Sequence, residues 1–394
     1  MPIFALIQII AARAVIAIVA LLTAFGIGSV SDAPSHLSVN EEPDIKVEEI
    51  MIPAEETQVL PLETIVSKPK EEIISPNTEE YPEEVVPDTP AAEEVILPEV
   101  NLPEPEAPLP LSFSQINTET AAALVNVLCS QNIAGAVNPI TGSGVIVDPR
   151  GVVITNAHVA QFFLLEDYPI ENSLECILRT GSPARNMYTA ELLYISPEWV
   201  NLHANDIKNS EPKGTGEHDY AFLRITGRTD PDASLPSTFP FIPLDTNDIN
   251  IKTGNQVLAA AYPAGFLGGV SIQKDLYSVS SIANVGERFT FLENTIDLFS
   301  IGGTVVSQGG SSGGAVVSGE NKLIGIIVTS TNADTTAERD LRAITLSYIN
   351  RALMQNANST VEGLLFGDIT LKAKLFNLST APALSNLFLP YLAQ

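Results

Sequence analysis

The chain has 394 residues, of which 45% are hydrophobic, and a formal net charge of −27 at pH 7. This length allows more than one domain, and the apolar fraction is sufficient for a packed core. The acidic balance argues against nucleic acid as a partner, because phosphate binding requires a basic surface. The two cysteines and four histidines show no spacing typical of a zinc site, so we expect no metal and no other cofactor.

The N-terminal residues 3–30 are almost entirely apolar, which is long enough for a helix to cross a bilayer. Arg13 interrupts this run, so 14–30 would form the span with Arg13 at the inner interface. A cleaved signal peptide is the competing interpretation, but no Lys or Arg precedes Arg13 and no clean cleavage site precedes Ser31. We therefore expect residues 1–31 to be a single-pass membrane anchor, with the rest of the chain outside the cytoplasm.

Residues 32–111 form an acidic, proline-rich segment with 21 acidic side chains, 3 basic side chains and 14 of the 28 prolines. It carries −18 of the net charge, so the rest of the chain is only mildly acidic. The lack of a helical or strand period predicts disorder. Such a segment would span on the order of 50 Å as a coil and about 250 Å as polyproline II, so we expect a spacer.

From residue 112 onward, short apolar runs alternate with Gly, Pro, Asn and Asp, which indicates β-structure. The clearest runs are 144–147, 152–155, 221–225 and 257–261. A helical period occurs only near 118–128 and 345–354. An α/β-hydrolase would need helices between most strands and a histidine after its serine, and no histidine follows Ser312.

Three motifs supply the residue types of an acyl-transfer site. The segment TNAHV places His158 at the end of an apolar strand, and HDYAFL begins another strand with Asp219. The segment QGGSSGGAV places Ser312 on a glycine-rich turn, where backbone N–H groups can converge beside a hydroxyl. The chain order His, Asp, Ser is one known way to assemble a base, an orienting carboxylate and a nucleophile.

With these motifs, the sequence resembles a trypsin-fold serine protease of the HtrA/Deg type over about 120–355. The segments GSGVIVDPRGVVI, GNQVLAAAYPAG, LIGIIVT and RAITL add to the resemblance. It implies an all-β fold of two six-stranded Greek-key barrels, trypsin-like, with a C-terminal helix. The protease domain would be 112–355, with barrel 1 at about 120–230, barrel 2 at about 245–335 and a C-terminal extension at 356–394.

The resemblance assigns catalytic roles to the motif residues. His158 would be the general base, Asp219 would orient it and Ser312 would attack. Asp206 and Asp230 lie near Asp219 in the sequence, but neither opens an apolar strand in the Asp-x-Ala-x-Leu pattern.

Two adjacent serines compete for the role of nucleophile. The family pattern Gly-x-Ser-Gly-Gly selects Ser312 and leaves Ser311 at the variable position. The backbone N–H groups of Gly310 and Ser312 would then form the oxyanion hole. Ala315 stands where the family usually has proline, a departure that removes no catalytic group.

The resemblance also places the walls of a substrate pocket at Val306, Ile327, Val328 and Thr329. No acidic residue occupies the expected base of this pocket, so we expect a small or medium aliphatic P1 residue. The loop 197–216 is longer than a minimal hairpin and is expected to shape the site.

The remaining features leave alternatives open. Cys129 and Cys176 lie in or beside strands of the first barrel, and both a disulfide and two separate buried thiols fit. The apolar stretch 363–394 can pack on the barrels, bind a membrane surface or cover an interface.

About forty residues follow Arg351, too few for the PDZ domain that this family often carries. Relatives are often trimers, so 113–128 is either a trimer contact or a helix that caps a monomer.

These observations predict a membrane-anchored, extracytoplasmic serine endopeptidase that cleaves polypeptides through an acyl-enzyme and needs no cofactor. By resemblance, misfolded or envelope proteins would be its substrates, in protein quality control. Two rival functions remain: a catalytically silent trypsin-fold binding protein, and a regulatory protease with a single target. Fold alone does not separate the three.

Overall fold

A computed structural model describes most of the chain after residue 109, in the ranges 110–132, 140–209, 214–265, 267, 269–291, 294–331 and 333–393. The predicted membrane anchor at 1–31 and nearly all of the predicted spacer lie outside these residues. No helix within the described ranges has the length and apolarity needed to cross a bilayer.

Six antiparallel strands close into a barrel in the order β1-β2-β3-β6-β5-β4. They are β1 (Leu124–Gln131), β2 (Ile140–Asp148), β3 (Val152–Thr155), β4 (Leu174–Thr180), β5 (Arg185–Ile195) and β6 (Ala221–Arg228). All four side chains of β3 are buried, as expected for a short apolar strand with neighbours on both sides. The first predicted barrel is therefore present, with six strands.

The second sheet has seven strands, in the order β8-β7-β11-β12-β13-β10-β9. They are β7 (Gln256–Ala261), β8 (Val279–Asn284), β9 (Arg288–Phe289), β10 (Leu298–Gly302), β11 (Ala315–Ser318), β12 (Leu323–Ser330) and β13 (Leu341–Thr345). The predicted six-stranded second barrel is thus replaced, in the described residues, by a half-barrel with seven strands. Residues 285–287 separate β8 from β9, and the Gly286 N–H donates to the Ser300 carbonyl at 2.7 Å.

The first helix, α1 (Phe113–Ala123), begins at a capping box. The Ser112 hydroxyl accepts from the Gln115 N–H, and the Gln115 side chain accepts from the Ser112 N–H at 2.9 Å. The helix predicted near 118–128 is wrong for its last residues, because 124–128 belong to β1 and pair with β2 and β4. Buried side chains of α1 lie against β7, β11 and β2 of the same chain, and the trimer contact stays a prediction.

A disulfide joins Cys129 on β1 to Cys176 on β4, the pairing that the sequence left open. The two residues are direct partners in the antiparallel ladder, with Cα atoms 4.0 Å apart. Both side chains are buried in the first barrel. The bridge therefore joins two neighbouring strands of the first barrel.

Four helices follow β13, rather than the single C-terminal helix of the prediction. They are α5 (Leu346–Ala357), α6 (Val361–Leu365), α7 (Ile369–Ser379) and α8 (Ala381–Leu392), and a short helix α4 (Gly269–Lys274) lies between β7 and β8. Helix α7 packs on β5, and its Asn377 Nδ2 donates to the Leu192 carbonyl at 2.7 Å. Helix α8 packs on the segment 197–206. Of the three roles open for 363–394, the described residues show packing on the first barrel, while Leu371, Leu375 and Leu378 on α7 stay exposed.

Candidate active site

Strand pairing brings the histidine and aspartate motifs to one end of the first barrel. β3 and β6 are neighbours, and Thr155 lies opposite Ala221 in their register. The chain leaves β3 into a short helix, α2 (Ala157–Ala160), which carries His158. Asp219 lies two residues before Ala221, so it reaches the same edge. The site therefore follows from the register of two adjacent strands.

Asp219 binds His158 through both carboxylate oxygens. Its Oδ2 lies 2.6 Å from His158 Nδ1, and its Oδ1 accepts the backbone N–H of His158 at 2.9 Å. Asn156 Nδ2 donates to the Asp219 backbone carbonyl at 2.9 Å, a contact that the motif alone did not reveal. The Asp219 side chain is 8% exposed and that of His158 is 27% exposed. The carboxylate is thus buried behind a ring whose other nitrogen, Nε2, is left without a hydrogen bond to any described residue.

The environment of His158 acts on its pKa in two opposing ways. Burial lowers the pKa, because desolvation disfavours the charged imidazolium. The charge of Asp219 and its hydrogen bond to Nδ1 raise the pKa, and together they outweigh burial. The net result is a pKa above the ordinary value for histidine, so the ring is a stronger base than an isolated imidazole.

The two adjacent serines have different surroundings. Ser311 is 1% exposed, and its hydroxyl donates to the Val306 carbonyl at 2.6 Å. Ser312 is partly exposed, and its Oγ forms no hydrogen bond within the described part of the chain, with His158 included. Of the two hydroxyls, the one on Ser312 is therefore available to a bound molecule.

Two backbone N–H groups in the turn around Ser312 donate no hydrogen bond to a described residue. The Gly309 carbonyl accepts from the Ala264 N–H at 2.7 Å, and the Ser311 carbonyl accepts from the Gly314 N–H at 2.9 Å. In a trans peptide the N–H points away from the carbonyl, so the N–H groups of Gly310 and Ser312 point away from these partners. Neither donates a hydrogen bond to another described residue.

An open cleft of about 1240 Å³ contains the proposed site residues. His158, Asp219, Gly310 and Ser312 all line it. No cluster of His, Cys, Asp and Glu suited to a metal ion occurs among the residues described.

Three of the four predicted pocket residues, Ile327, Val328 and Thr329, also line this cleft. Val306 does not, because its side chain is fully buried in the core of the second sheet. Its backbone carbonyl instead holds the Ser311 hydroxyl. The predicted role of Val306 as a pocket wall is therefore wrong for its side chain.

Part of the cleft wall is a helix, in a segment that the sequence predicts only as a long loop. Helix α3 (Pro197–His203) contributes Trp199 and His203, whose rings stack with centroids 4.9 Å apart. His203 Nδ1 lies 3.2 Å from Asp206 Oδ2. A serine N-cap followed by proline at the first helical position, as at Ser196 and Pro197, is a start signal that would have predicted this helix.

Residues 142–326 match the family described as a trypsin-like peptidase domain. No curated protein matches the chain. Among solved structures, a serine endoprotease from Yersinia pestis is 22% identical, with 64% of this chain and 68% of that chain covered and a TM-score of 0.38. An HtrA-type protease with a tripeptide is 19% identical, with 62% and 64% covered and a TM-score of 0.39. The chain spans about two thirds of the length of each.

Proposed function

We propose that this chain, whose residues 142–326 match the trypsin-like peptidase domain, is a serine endopeptidase with His158, Asp219 and Ser312 as its catalytic triad. The observation that carries the proposal is that Asp219 bonds His158 through both carboxylate oxygens. The cleft that contains this pair also contains Ser312, whose hydroxyl bonds no described residue. Nδ1 of His158 is occupied by the carboxylate, so Nε2 remains to accept a proton.

The chemistry follows from these positions. Ser312 Oγ attacks the carbonyl carbon of the scissile peptide while His158 Nε2 takes its proton. The N–H groups of Gly310 and Ser312 stabilise the resulting oxyanion. His158 returns the proton to the leaving amine, which departs as the acyl-enzyme forms. Water then attacks the acyl-enzyme with His158 again as base, and Ser312 regains its proton.

One step requires a local movement, because Ser312 forms no hydrogen bond to His158 in the structure. A rotation of the serine side chain about χ1 moves its hydroxyl between staggered positions at little cost. Hydrogen bonds of this kind often tighten only when substrate is bound. We therefore assign the Ser312–His158 contact to the substrate complex.

The shape of the cleft supports a small or medium aliphatic P1 residue. Its lining includes Ile327 and Val328. Gly216 packs so closely on this wall that a Cβ there would lie 2.9 Å from Val328 Cγ1. Profiling with a peptide library checks this preference, and cleavage mainly after Lys or Arg would contradict it.

We also propose that the protease domain lies outside the cytoplasm, anchored by the apolar segment 3–30 and separated from the membrane by the acidic spacer. The disulfide between Cys129 and Cys176 supports this, because such bonds persist mainly in oxidising compartments. Misfolded or envelope polypeptides are the proposed substrates, which makes quality control the proposed role. Release of the full-length chain from membranes by alkaline carbonate would contradict the anchor.

The direct test is labelling of the full chain with a fluorophosphonate probe, which reacts only with an activated serine, followed by mass-spectrometric mapping. We expect the adduct on Ser312, its loss in Ser312→Ala and in His158→Ala, and its retention in Ser311→Ala. The adjacent serine is the matched control, since its hydroxyl is buried on Val306. An adduct on Ser311 would refute the assignment of the nucleophile.

The labelling experiment and a casein degradation assay together separate the rival functions. A folded wild-type chain that takes no label would be a catalytically silent binding protein. A labelled chain that leaves casein intact would be a protease with a dedicated target. General degradation of casein would support the quality-control role.

A further inference from the structure

One buried residue of the first barrel holds the turn that carries the nucleophile. Ser143, which is fully buried, donates its backbone N–H to the Ser312 carbonyl at 2.7 Å and its hydroxyl to the Gly310 carbonyl at 2.8 Å. Its hydroxyl accepts the Tyr262 N–H at 2.9 Å, and its carbonyl accepts the Thr155 hydroxyl at 2.7 Å. Four hydrogen bonds thus join this residue to β3, to the end of β7 and to the turn.

The direction of the hydroxyl proton is fixed by this arrangement. A serine hydroxyl has one proton to donate and also accepts hydrogen bonds. The Tyr262 N–H can only donate, so it occupies an acceptor position of the Ser143 oxygen. The proton is therefore left for the Gly310 carbonyl, which is the other group within reach.

Gly310 needs such a partner because its own backbone conformation is weakly restricted. It has φ of +88°, in a region where glycine moves with no steric cost from a side chain. A Cβ at this position would lie 2.8 Å from the Tyr262 carbonyl, so no other residue can take the place of glycine without movement. The hydrogen bond from Ser143 supplies the restraint that the missing side chain cannot.

We propose that Ser143 is a positioning residue for the oxyanion hole, an inference that rests on the proposed function. Its N–H and hydroxyl hold the carbonyls of Ser312 and Gly310, the two residues whose N–H groups face the oxyanion in that mechanism. The hydroxyl holds the peptide unit between Gly310 and Ser311, which lies between the two peptide units that carry the donor N–H groups. It touches no reacting atom and acts through the turn.

The test is Ser143→Ala in the full chain, which removes the hydroxyl and leaves the backbone bond to Ser312. We expect kcat to fall by about 10²-fold, comparable to the loss of one oxyanion-hole donor, with KM within about twofold of wild type. The inhibition constant of a peptide aldehyde, whose serine adduct places an oxygen in the oxyanion hole, should rise by the same factor as kcat/KM falls.

Thr155→Val is the matched control, because Thr155 is as buried as Ser143 and its hydroxyl donates to the Ser143 carbonyl. The variant removes that hydrogen bond and leaves the Ser143 hydroxyl on Gly310. It should lower Tm but leave kcat and the aldehyde inhibition constant within about twofold. If Ser143→Ala is unfolded in buffer, the assays are run in sucrose, which favours the compact state.

Wild-type kcat in Ser143→Ala would overturn the inference, as would an equal loss in Thr155→Val or an unchanged aldehyde inhibition constant. None of these results would affect the proposed function, provided that the wild-type chain is labelled on Ser312. A wild-type chain without label would overturn the proposed function itself, and with it the role of Ser143.

Discussion

Asp219 holds two different nitrogens of His158, the backbone N–H at 2.9 Å through Oδ1 and the ring Nδ1 at 2.6 Å through Oδ2. One carboxylate therefore fixes the position of the main chain and the direction of the ring together. Since the carboxylate accepts from both nitrogens, an isosteric amide cannot replace it: one of the two nitrogens would face an N–H₂ group.

Asp219→Asn should therefore reduce kcat by about 10³–10⁴-fold, because the imidazole loses its orientation and the charge that stabilises its protonated form. Hydrolysis of a peptide substrate measures the effect. Asp206→Asn is the control, since Asp206 lines the same cleft but bonds His203. It should keep kcat within about threefold. A similar loss in both variants would mean that the charge of the cleft, rather than the Asp219–His158 pair, is responsible.

The pH dependence of the reaction gives a second prediction. Below its pKa, His158 is protonated and cannot take the serine proton, so kcat/KM should fall as the pH drops. Because the charge of Asp219 raises this pKa in spite of burial, the fall should be centred above 6.5, the ordinary value for histidine. In Asp219→Asn, burial remains without the compensating charge, so the residual activity should fall at a lower pH. A midpoint that does not move would contradict this account.

The proposed catalytic motifs could be predicted because they lie at the ends of apolar strands. An apolar run that stops at TNAHV and another that starts at HDYAFL place their polar residues at one barrel edge whenever the two strands pair, and β3 and β6 do pair. The direction of a side chain within a turn depends on dihedral angles that the sequence does not reveal. For that reason the sequence predicts Val306 as a pocket wall, although its side chain is buried in the core.

Elements with apolar residues on more than one face were also hard to predict. Helix α7 buries Ile369 and Ala373 but exposes Leu371 and Leu375, so its hydrophobic residues show no 3.6-residue period. Residues 124–128 continue the apolar character of α1, and only pairing with β2 and β4 makes them a strand. In both cases tertiary contacts decide the structure, and the sequence pattern alone does not.

The disulfide gives a third prediction, for stability. Cys129 and Cys176 are separated by 47 residues, and closing a loop of that length removes conformational entropy from the unfolded chain. The double variant Cys129→Ala, Cys176→Ala should lose about 2–4 kcal/mol of unfolding free energy. Urea denaturation of both proteins measures the difference. Addition of a reductant should destabilise the wild type and leave the double variant unchanged; an equal response of both would show that the bridge does not form in solution.

A half-buried carboxyl beside this disulfide gives the last prediction. Burial raises the pKa of Glu166 to about 7, and neighbouring carboxylates at Asp167 and Glu175 add to the rise, although the side chain accepts the Cys176 N–H at 3.1 Å. The ordinary value is 4.5. Between pH 4.5 and about 7 the folded chain binds more protons than the unfolded chain. The contribution of Glu166 to the free energy of unfolding is therefore fully present below about pH 4.5 and is lost as the pH rises through about 7.

Glu166→Gln should remove this loss, because the amide carries no charge and its oxygen can still accept the Cys176 N–H. We expect the variant to be about 2 kcal/mol more stable than wild type at pH 8 and to differ little at pH 4. Urea denaturation across this range measures both values. Glu171→Gln, at an exposed position in the same loop, is the control and should follow the wild-type curve. A gain at pH 8 that persists unchanged at pH 4 would come from packing, and the charge of Glu166 would then have no part in it.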